Sequence, residues 1–440
     1  MKLVVGKSKL SGSVRIPGSK SHTIRAVAIA SLADGASRVR EPLVASDTLS
    51  ALEAYRLLGA EILKQEDWAI RGVGGRPRVP DNVIDVGNSG TTLYIALASA
   101  ALANGCTVLT GDDQIRRRPA QPLIDALNAL GAKVESTRAN GMAPIVVRGP
   151  LRGGKIKLDC SKTSQYLTSL LINCPLASGD TIIEVADLIE KPYIEMTLRW
   201  LAEQGIDLEN DDSRPDPSRY DTWRDRVGSF RLFRIPGGQS YKAFDKSIPA
   251  DFSSATFFAC AAAITGSDLT LPGLDMSDTQ GDKAAADMLA RMGAEVEKVP
   301  NGLRVTGGPL RGAEFDLGDT PDALPAMAVT ACFAEGETRL VNVPQARLKE
   351  TDRIAVMREE LAKMGADIEE LPDGLVIRGS RLKPAFVHGH ADHRVIMALA
   401  IAGLALDGET TVSTAEALSV TFPTFVELMA SAGAKMRMLD

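Results

Sequence analysis

A short pattern of apolar and polar residues recurs along the whole chain. An apolar residue, a glycine, a small residue, a charged residue and a second apolar residue follow one another in four close copies and two looser ones, at Gly59, Gly131, Gly205, Gly293, Gly365 and Gly433. A glycine just past a helix, followed by alternating positions, is typical of a helix end that leads into a strand. Six copies predict six similar helix–strand units.

Several stretches are apolar at nearly every position and are therefore predicted to be helices buried inside the fold. They cover residues 21–32, 92–103, 165–177, 254–264 and 393–404. The first seven residues are predicted as a strand. The phrase at residues 149–153 returns at 308–312, which favours two halves of three units each. Residues 210–226, rich in Arg and Asp, are predicted to form a solvated loop.

Composition narrows the class of protein. The chain has 440 residues, 45% of them apolar and 24% charged, which predicts a globular protein of two or three domains. A net charge of −6 disfavours a nucleic-acid partner. No apolar run approaches the roughly 18 residues of a membrane span, although 93–103 and 323–334 are long. Five scattered cysteines fit the reduced thiols of a cytoplasmic protein.

Small polar residues precede four of the predicted helices. The loops are Gly18-Ser19-Lys20-Ser21, Asn88-Ser89-Gly90-Thr91-Thr92, Ser161-Lys162-Thr163-Ser164-Gln165 and Asp251-Phe252-Ser253-Ser254. Open N–H groups and the helix dipole favour an anion there, although Ser, Thr and Asn are also ordinary helix caps. The first loop lacks the Gly-Lys pair of a P-loop. Together the loops predict sites for phosphate or carboxylate groups.

Basic residues accompany these loops in an otherwise acidic chain. They include Arg25, the run Arg116-Arg117-Arg118, Lys349, Arg353 and Arg394. Anion binding is one interpretation. The other is structural, because three adjacent arginines suit a solvated turn and the charges from 347 to 353 suit ion pairs at i,i+3 and i,i+4.

Three of the four histidines form a pattern that suggests a different class of enzyme. His388, His390 and His393, with Asp392, match the HxHxDH motif of metallo-β-lactamase-like hydrolases. A two-metal site of that type needs further ligands downstream, and no histidine follows His393. A metallohydrolase is therefore kept as a remote alternative.

Taken together, ten motifs make the sequence resemble the enolpyruvyl transferase family, and most closely its shikimate-3-phosphate branch. They are Pro17-Gly18-Ser19-Lys20-Ser21, Gly87-Asn88-Ser89-Gly90-Thr91, Arg118-Pro119, Ser164-Gln165, Lys191-Pro192-Tyr193, Gln280-Gly281-Asp282, Pro321-Asp322-Ala323, Lys349-Glu350-Thr351-Asp352-Arg353, Asp392-His393-Arg394 and Thr421-Phe422-Pro423. The resemblance implies an α/β (α+β) fold of two domains, each with three βαβαββ-type repeats and buried helices. It also implies domains at 18–248 and at 1–17 plus 249–440, with a ligand cleft and hinge between them.

The function implied by the resemblance is transfer of the enolpyruvyl (carboxyvinyl) group of phosphoenolpyruvate (PEP) to the 5-hydroxyl of shikimate-3-phosphate. This addition–elimination releases phosphate and belongs to the shikimate pathway of aromatic amino acid biosynthesis. It implies no cofactor, no metal and a monomer. The residues matched to PEP are Lys20, Asn88, Gly90, Arg118, Arg353 and Arg394. Those matched to shikimate-3-phosphate are Ser21, Arg25, Thr163, Ser164, Gln165, Tyr193, Asp322, Gln345 and Lys349.

The reaction needs a base for the hydroxyl and an acid for the PEP methylene carbon. The resemblance assigns Asp322 as candidate base and Glu350 as candidate acid, with Lys20 able to share the proton transfer. Gly90 stands where glyphosate-sensitive family members have glycine.

Several positions depart from the family pattern. Tyr94 stands where many members have an arginine, Val420 stands where some have a PEP-contacting lysine, and Glu190 stands where a phosphate-binding serine is usual. We expect Glu190 to turn away from Thr163 and Ser164, and to pair with Lys191 or with an arginine such as Arg224 or Arg226. Two further alternatives stay open, namely a transferase acting on another cyclic alcohol and an inactive anion-binding relative.

Overall fold

The computed structural model describes residues 1–210 and 230–440, which form two compact units. The segmented unit combines Met1–Ser19 with Pro249–Asp440, and the continuous unit is Lys20–Ile248. Most of the predicted solvated loop, including Arg224 and Arg226, lies outside the described residues.

The helices and strands alternate along both units. The strands are β1 (Lys2–Gly6), β2 (Ser11–Ser13), β3 (Ala36–Arg40), β4 (Glu61–Lys64), β5 (Trp68–Arg71), β6 (Ile84–Asp85), β7 (Cys106–Thr110), β8 (Lys133–Ser136), β9 (Ile145–Arg148), β10 (Gly154–Asp159), β11 (Thr181–Ala186), β12 (Glu209–Asn210), β13 (Leu232–Ile235), β14 (Asp245–Ser247), β15 (Asp268–Pro272), β16 (Glu295–Val299), β17 (Gly302–Thr306), β18 (Glu314–Asp316), β19 (Glu337–Val341), β20 (Asp367–Leu371), β21 (Gly374–Arg378), β22 (Phe386–Val387), β23 (Glu409–Ser413) and β24 (Lys435–Leu439). The α-helices are α1 (Lys20–Leu32), α2 (Ser46–Leu57), α3 (Gly90–Ala101), α4 (Gln121–Ala129), α5 (Gln165–Asn173), α6 (Lys191–Glu203), α7 (Phe252–Thr265), α8 (Ala284–Met292), α9 (Leu324–Cys332), α10 (Arg353–Lys363), α11 (His393–Leu404) and α12 (Phe425–Ser431). Short 3-10 helices cover Ile115–Arg117, Cys174–Leu176, Gly281–Lys283, Pro321–Ala323, Pro344–Leu348 and Ala415–Val420.

The strands form six four-stranded sheets with one pairing pattern. In each sheet, one edge strand runs parallel to its neighbour and the two remaining pairings are antiparallel. The orders are β14-β3-β5-β4, β6-β7-β9-β8, β10-β11-β13-β12, β2-β15-β17-β16, β18-β19-β21-β20 and β22-β23-β1-β24. The predicted sixfold repeat is therefore confirmed as three such sheets in each unit.

The predicted first strand is also confirmed, and it ties the two ends of the chain together. In β1, Leu3 lies opposite Val412 of β23 on one side and Met438 of β24 on the other. Both pairings are antiparallel, and Leu3 and Val412 are completely buried. The segmented unit therefore needs strands from both chain ends to complete this sheet.

The six repeated glycines all have the backbone conformation that the pattern predicts. Their φ angles are +106° at Gly59, +97° at Gly131, +71° at Gly205, +110° at Gly293, +95° at Gly365 and +102° at Gly433. Glycine adopts positive φ without the steric cost that a Cβ brings. Each glycine lies between an even-numbered helix and the next strand of its unit.

Buried helices provide the core of each unit. Helices α1, α3 and α5 of the continuous unit and α7, α9 and α11 of the segmented unit are buried on nearly every side, as their apolar sequences predict. The apolar run at 323–334 is not among the predicted helices, but it contains α9. The predicted helix 165–177 instead ends at Asn173, and Pro175 lies in the short 3-10 helix that follows. Within the described ranges, we find no helix with both the length and the apolarity for a bilayer crossing.

Two of the repeated glycines provide a matched test of the helix-end geometry. A Cβ on Gly365 would lie 3.8 Å from the nearest atom, whereas one on Gly293 would lie 2.7 Å from the Pro309 carbonyl oxygen. We expect Gly365→Ala to lower the free energy of unfolding by about 1 kcal/mol through its positive φ alone. Gly293→Ala should lower it by about 2–4 kcal/mol, because the overlap with backbone adds to that cost. Denaturant titration of both variants measures this; equal losses would contradict the steric argument.

Candidate functional site

A buried guanidinium group gathers several predicted site residues in the segmented unit. The side chain of Arg353, the first residue of α10, is 1% exposed. Its Nη1 lies 2.8 Å from Asp322 Oδ1, and its Nη2 lies 2.6 Å from Glu350 Oε2. The structure therefore brings the candidate base and the candidate acid onto one cation.

The cluster also contains a residue that sequence reasoning missed. Asp392 Oδ2 accepts a hydrogen bond from Arg353 Nε at 2.8 Å, and Asp392 Oδ1 accepts one from the Arg394 backbone N–H at 2.9 Å. Arg394 Nη2 lies 2.8 Å from Asp322 Oδ2. The helix-start position of Asp392, within a motif already noted, was the available signal. We call Asp322, Glu350, Arg353, Asp392 and Arg394 the carboxylate–arginine cluster.

Charge balance holds this cluster together. Burial by itself would lower the pKa of Arg353, but Asp392, Glu350 and Asp322 together raise it above its ordinary value. Removing one partner from a buried ion pair leaves an uncompensated charge, which costs far more than losing an exposed pair. The three carboxylates and two guanidinium groups are therefore positioned as a set.

Asp282 lies beside the cluster, and the pKa of its carboxyl group is raised. It is 4% exposed, Ser253 Oγ donates to its Oδ2, and its Oδ1 has no hydrogen-bond partner among the described residues. Burial, followed by repulsion from Asp322 and Asp251, raises the pKa of Asp282 to about 7, while Arg394 and Ser253 oppose the shift. Sequence reasoning noted this residue only as part of a motif.

Three further positions of the segmented unit, two of them predicted to bind the ring substrate, lie in different surroundings. Gln345 is 2% exposed, and its Nε2 donates to the Gly318 carbonyl oxygen at 2.8 Å. Lys349 is partly buried directly after the 3-10 helix Pro344–Leu348. Val420 packs against the apolar core of this unit, so no charge comes from that position.

In the continuous unit, Lys20 is held by a carboxylate that the sequence did not suggest. Its Nζ lies 3.1 Å from Asp47 Oδ2, and the two side chains are 17% and 5% exposed. Lys20 is the first residue of α1, and Asp47 lies in the first turn of α2. The contact between the two helix starts fixes where the ammonium group lies.

The start of α3 brings together Asn88, Gly90 and Arg118. Asn88 Nδ2 donates to Asp112 Oδ2 at 2.6 Å and to Gln114 Oε1 at 2.7 Å. A Cβ on Gly90 would lie 2.5 Å from Arg118 Nη1. Glycine at this helix start therefore leaves the space that the guanidinium group occupies.

Tyr94, which departs from the family pattern, supports the backbone next to Arg118. Its hydroxyl donates to the Pro119 carbonyl oxygen at 2.9 Å, and the Tyr166 hydroxyl donates to the same oxygen at 2.6 Å. The two rings meet edge to face, with centroids 5.1 Å apart. The tyrosine therefore supports the backbone beside Arg118 through a neutral hydroxyl group.

Arg25 is a buried cation whose hydrogen-bond acceptors are neutral. Its donors reach the Thr197 hydroxyl at 2.9 Å and the backbone carbonyls of Ser21 and Tyr193, each at 3.0 Å. Within the described residues it forms no ion pair with a carboxylate. Burial lowers its pKa to about 10, partly offset by Tyr193. A buried charge of this kind is stabilised by an anionic partner.

Glu190 does not lie where we expected it. Its Oε2 accepts hydrogen bonds from Thr163 Oγ1 at 3.3 Å and from Ser164 Oγ at 3.4 Å, and the residue is 1% exposed. The expectation that it turns away from these hydroxyls is wrong. Gln165, the next predicted residue, donates to Thr163 Oγ1 from its backbone N–H at 3.2 Å and from Nε2 at 3.1 Å.

The histidine pattern does not form the metal cage of the alternative hypothesis. His390 Nε2 lies 2.7 Å from Glu360 Oε1, whereas His388 Nδ1 accepts from the His390 backbone N–H. Among the described residues, the ligand group that converges around His390 contains Glu359 and Glu360 but neither His388 nor His393. Lys363 Nζ already binds both glutamates, at 2.9 and 2.8 Å. The three-histidine interpretation is therefore corrected by the geometry.

The three sheets and three buried helices of each unit make the chain an α/β protein built from six repeats. The chain belongs to the EPSP synthase family. The family model described as EPSP synthase (3-phosphoshikimate 1-carboxyvinyltransferase) matches residues 4–429.

Named relatives match over almost their entire lengths. A 3-phosphoshikimate 1-carboxyvinyltransferase of Acetivibrio thermocellus is 55% identical over 435 residues, covering 99% of both chains. One of Ruminiclostridium cellulolyticum is 53% identical over 440 residues, covering 100% of both. The solved EPSP synthase of Acinetobacter baumannii matches with a TM-score of 0.80 and 26% identity, covering 99% of this chain and 100% of that one.

Asp282 generates a prediction about stability and pH. Between about pH 4 and pH 7, its raised pKa makes the folded protein keep a proton that the unfolded chain releases, so stability falls as pH rises. Asp282→Asn removes this charge and should raise the free energy of unfolding at pH 8 by on the order of a few kcal/mol, with a smaller gain at pH 5. Denaturant titration at both values measures it. The control, Asp287→Asn, changes an exposed residue of α8. An identical gain at both pH values would contradict the assignment.

Proposed function

We propose that the protein transfers the enolpyruvyl group of PEP to the 5-hydroxyl of shikimate-3-phosphate and releases phosphate. The observation that carries the proposal is the carboxylate–arginine cluster, in which Asp322 and Glu350 contact the same guanidinium group of Arg353. The family match over residues 4–429 and the names of the relatives support the same reaction. The reaction belongs to aromatic amino acid biosynthesis.

The cluster suits a reaction in which protons move to and from two atoms, the acceptor oxygen and carbon 3 of PEP. The acceptor hydroxyl loses a proton as it attacks carbon 2, and carbon 3 gains a proton. The tetrahedral intermediate then expels phosphate and loses a proton from carbon 3, which restores the double bond. In our proposal Asp322 takes the hydroxyl proton, Glu350 delivers the proton to carbon 3, and Lys20 shares in proton transfer. In the protein without ligand, ion pairs with Arg353 and Arg394 hold both carboxylates in defined positions.

The proposed ligand contacts follow charge. PEP carries a carboxylate and a phosphate, and its proposed partners are Lys20, Asn88, Gly90, Arg118, Arg353 and Arg394. Because Arg353 is 1% exposed and already contacts three carboxylates, its contact with PEP requires the cluster to rearrange. The proposed partners of shikimate-3-phosphate are Ser21, Arg25, Thr163, Ser164, Gln165, Tyr193, Asp322, Gln345 and Lys349. The buried cation Arg25 supports a carboxylate in that set.

A direct assay tests the function. The purified protein is incubated with PEP and shikimate-3-phosphate, and phosphate release and the carboxyvinyl product are followed together. We expect both to appear at equal rates, with neither formed from PEP alone. Phosphate release without the carboxyvinyl product, or no reaction at saturating substrates, would contradict the proposal.

The proton-transfer roles predict large effects of small changes. Asp322→Asn and Glu350→Gln keep the shape of each side chain and remove its charge, so each should lower turnover by roughly 10²–10⁴. Glu359→Gln is the control, because it removes an exposed carboxylate of α10, the helix that begins at Arg353, outside the cluster. Thermal unfolding of each variant separates lost activity from lost structure. Near-normal turnover in both folded variants would show that the roles are assigned incorrectly.

Gly90 predicts a change in PEP affinity with little change in stability. In Gly90→Ala the new Cβ would overlap the end of the flexible Arg118 side chain, which can move at low cost to the fold. We expect the KM for PEP to rise and competitive inhibition by glyphosate to weaken further still, while the melting temperature stays within a few degrees of the wild type. Gly6→Ala, where the backbone has no positive φ and a Cβ would lie 3.7 Å from the nearest atom, is the control. An unchanged KM would contradict the proposed place of Arg118.

A further inference from the structure

The Glu190 carboxylate lies at the start of α5, where the proposed function needs a phosphate. Thr163 and Ser164, which directly precede α5, both donate to its Oε2. The nine-residue helix presents the positive end of its dipole on this side, which favours an anion. A carboxylate of the protein itself thus occupies the anion-binding position.

The position of the side chain is not explained by the helix that Glu190 precedes. Glu190 is the N-cap residue of α6, where a carboxylate commonly accepts a hydrogen bond from the first-turn N–H groups. Here the backbone has φ +54° and ψ +42°, and the side chain makes no capping hydrogen bond. It reaches instead to the start of the neighbouring helix α5, and Glu190 itself is 1% exposed.

Each hydroxyl has one proton to donate, so Glu190 and a phosphate cannot both accept it at the same time. Thr163 Oγ1 already accepts from the Gln165 backbone N–H and from Gln165 Nε2, so its own proton is its remaining hydrogen-bonding group. That proton is directed at Glu190. A phosphate can receive it only after the carboxylate leaves. The O···O distances of 3.3 and 3.4 Å exceed the usual range for hydroxyl donors, so each of these two hydrogen bonds is weak.

We propose that Glu190 is a built-in competitor for the substrate's phosphate and thereby sets the affinity and selectivity for the phosphorylated ring. This inference rests on the proposed function. In the unliganded protein the carboxylate satisfies Thr163 and Ser164, and binding of the ring substrate displaces it. The protein then binds the phosphorylated acceptor less tightly than the same site without this carboxylate.

Two variants and two probes test the inference. Glu190→Gln removes the charge at nearly constant shape, and Glu190→Ser removes the competing group altogether. Binding of inorganic phosphate and of shikimate-3-phosphate is measured by titration calorimetry, without PEP. Both variants should bind both probes about tenfold more tightly or better, since contact between like charges costs at least that factor. Affinity for unphosphorylated shikimate should change little.

Helix α6 also provides the control variant. Glu203→Gln removes a partly exposed carboxylate from the other end of α6 and should leave phosphate binding unchanged. Unchanged or weaker phosphate binding in both folded variants would overturn the inference, since Glu190 would then support the site. Inorganic phosphate is the deciding probe because its binding does not depend on the identity of the ring substrate. Failure of the wild type to form the carboxyvinyl product would instead count against the proposed function.

Discussion

The carboxylate–arginine cluster depends on one residue, Arg353. Its guanidinium group contacts Asp322, Glu350 and Asp392 at 2.6–2.8 Å while its side chain is 1% exposed. A cation so deeply buried is tolerable only when several carboxylates surround it, and the carboxylates are tolerable only because of the cation. This mutual dependence fixes the candidate base and acid before any ligand binds.

In the continuous unit, the buried cation Arg25 is surrounded by neutral acceptors instead of carboxylates. Its buried Arg25 contacts hydroxyl and carbonyl oxygens, and its Lys20 contacts a single carboxylate, Asp47. Where the segmented unit balances each buried cation with carboxylates, the continuous unit leaves Arg25 paired with neutral groups. The first arrangement suits proton transfer, and the second suits the binding of an anionic ligand.

Departures from the family pattern have local structural explanations. The Tyr94 hydroxyl holds the Pro119 carbonyl, and Val420 packs against the apolar core. Glu190 is different because it directs a charge at two hydroxyls that, in our proposal, bind the phosphate of the substrate. Substitutions at one site can therefore preserve its geometry or change its ligand preference, depending on whether the new side chain competes for the same donors.

The sequence alone determined the repeat, its helix ends and its buried helices, because backbone conformation and apolar periodicity are local properties. The positive φ of Gly293 and the apolar run of α11 needed no distant partner. Only the tertiary structure decided that Asp392 and Asp47 hold the predicted cations and that Asp282 lies beside Asp322. It alone decided where Glu190 points. Such pairings join residues far apart in sequence, and their energies depend on burial and on distances that no local pattern encodes.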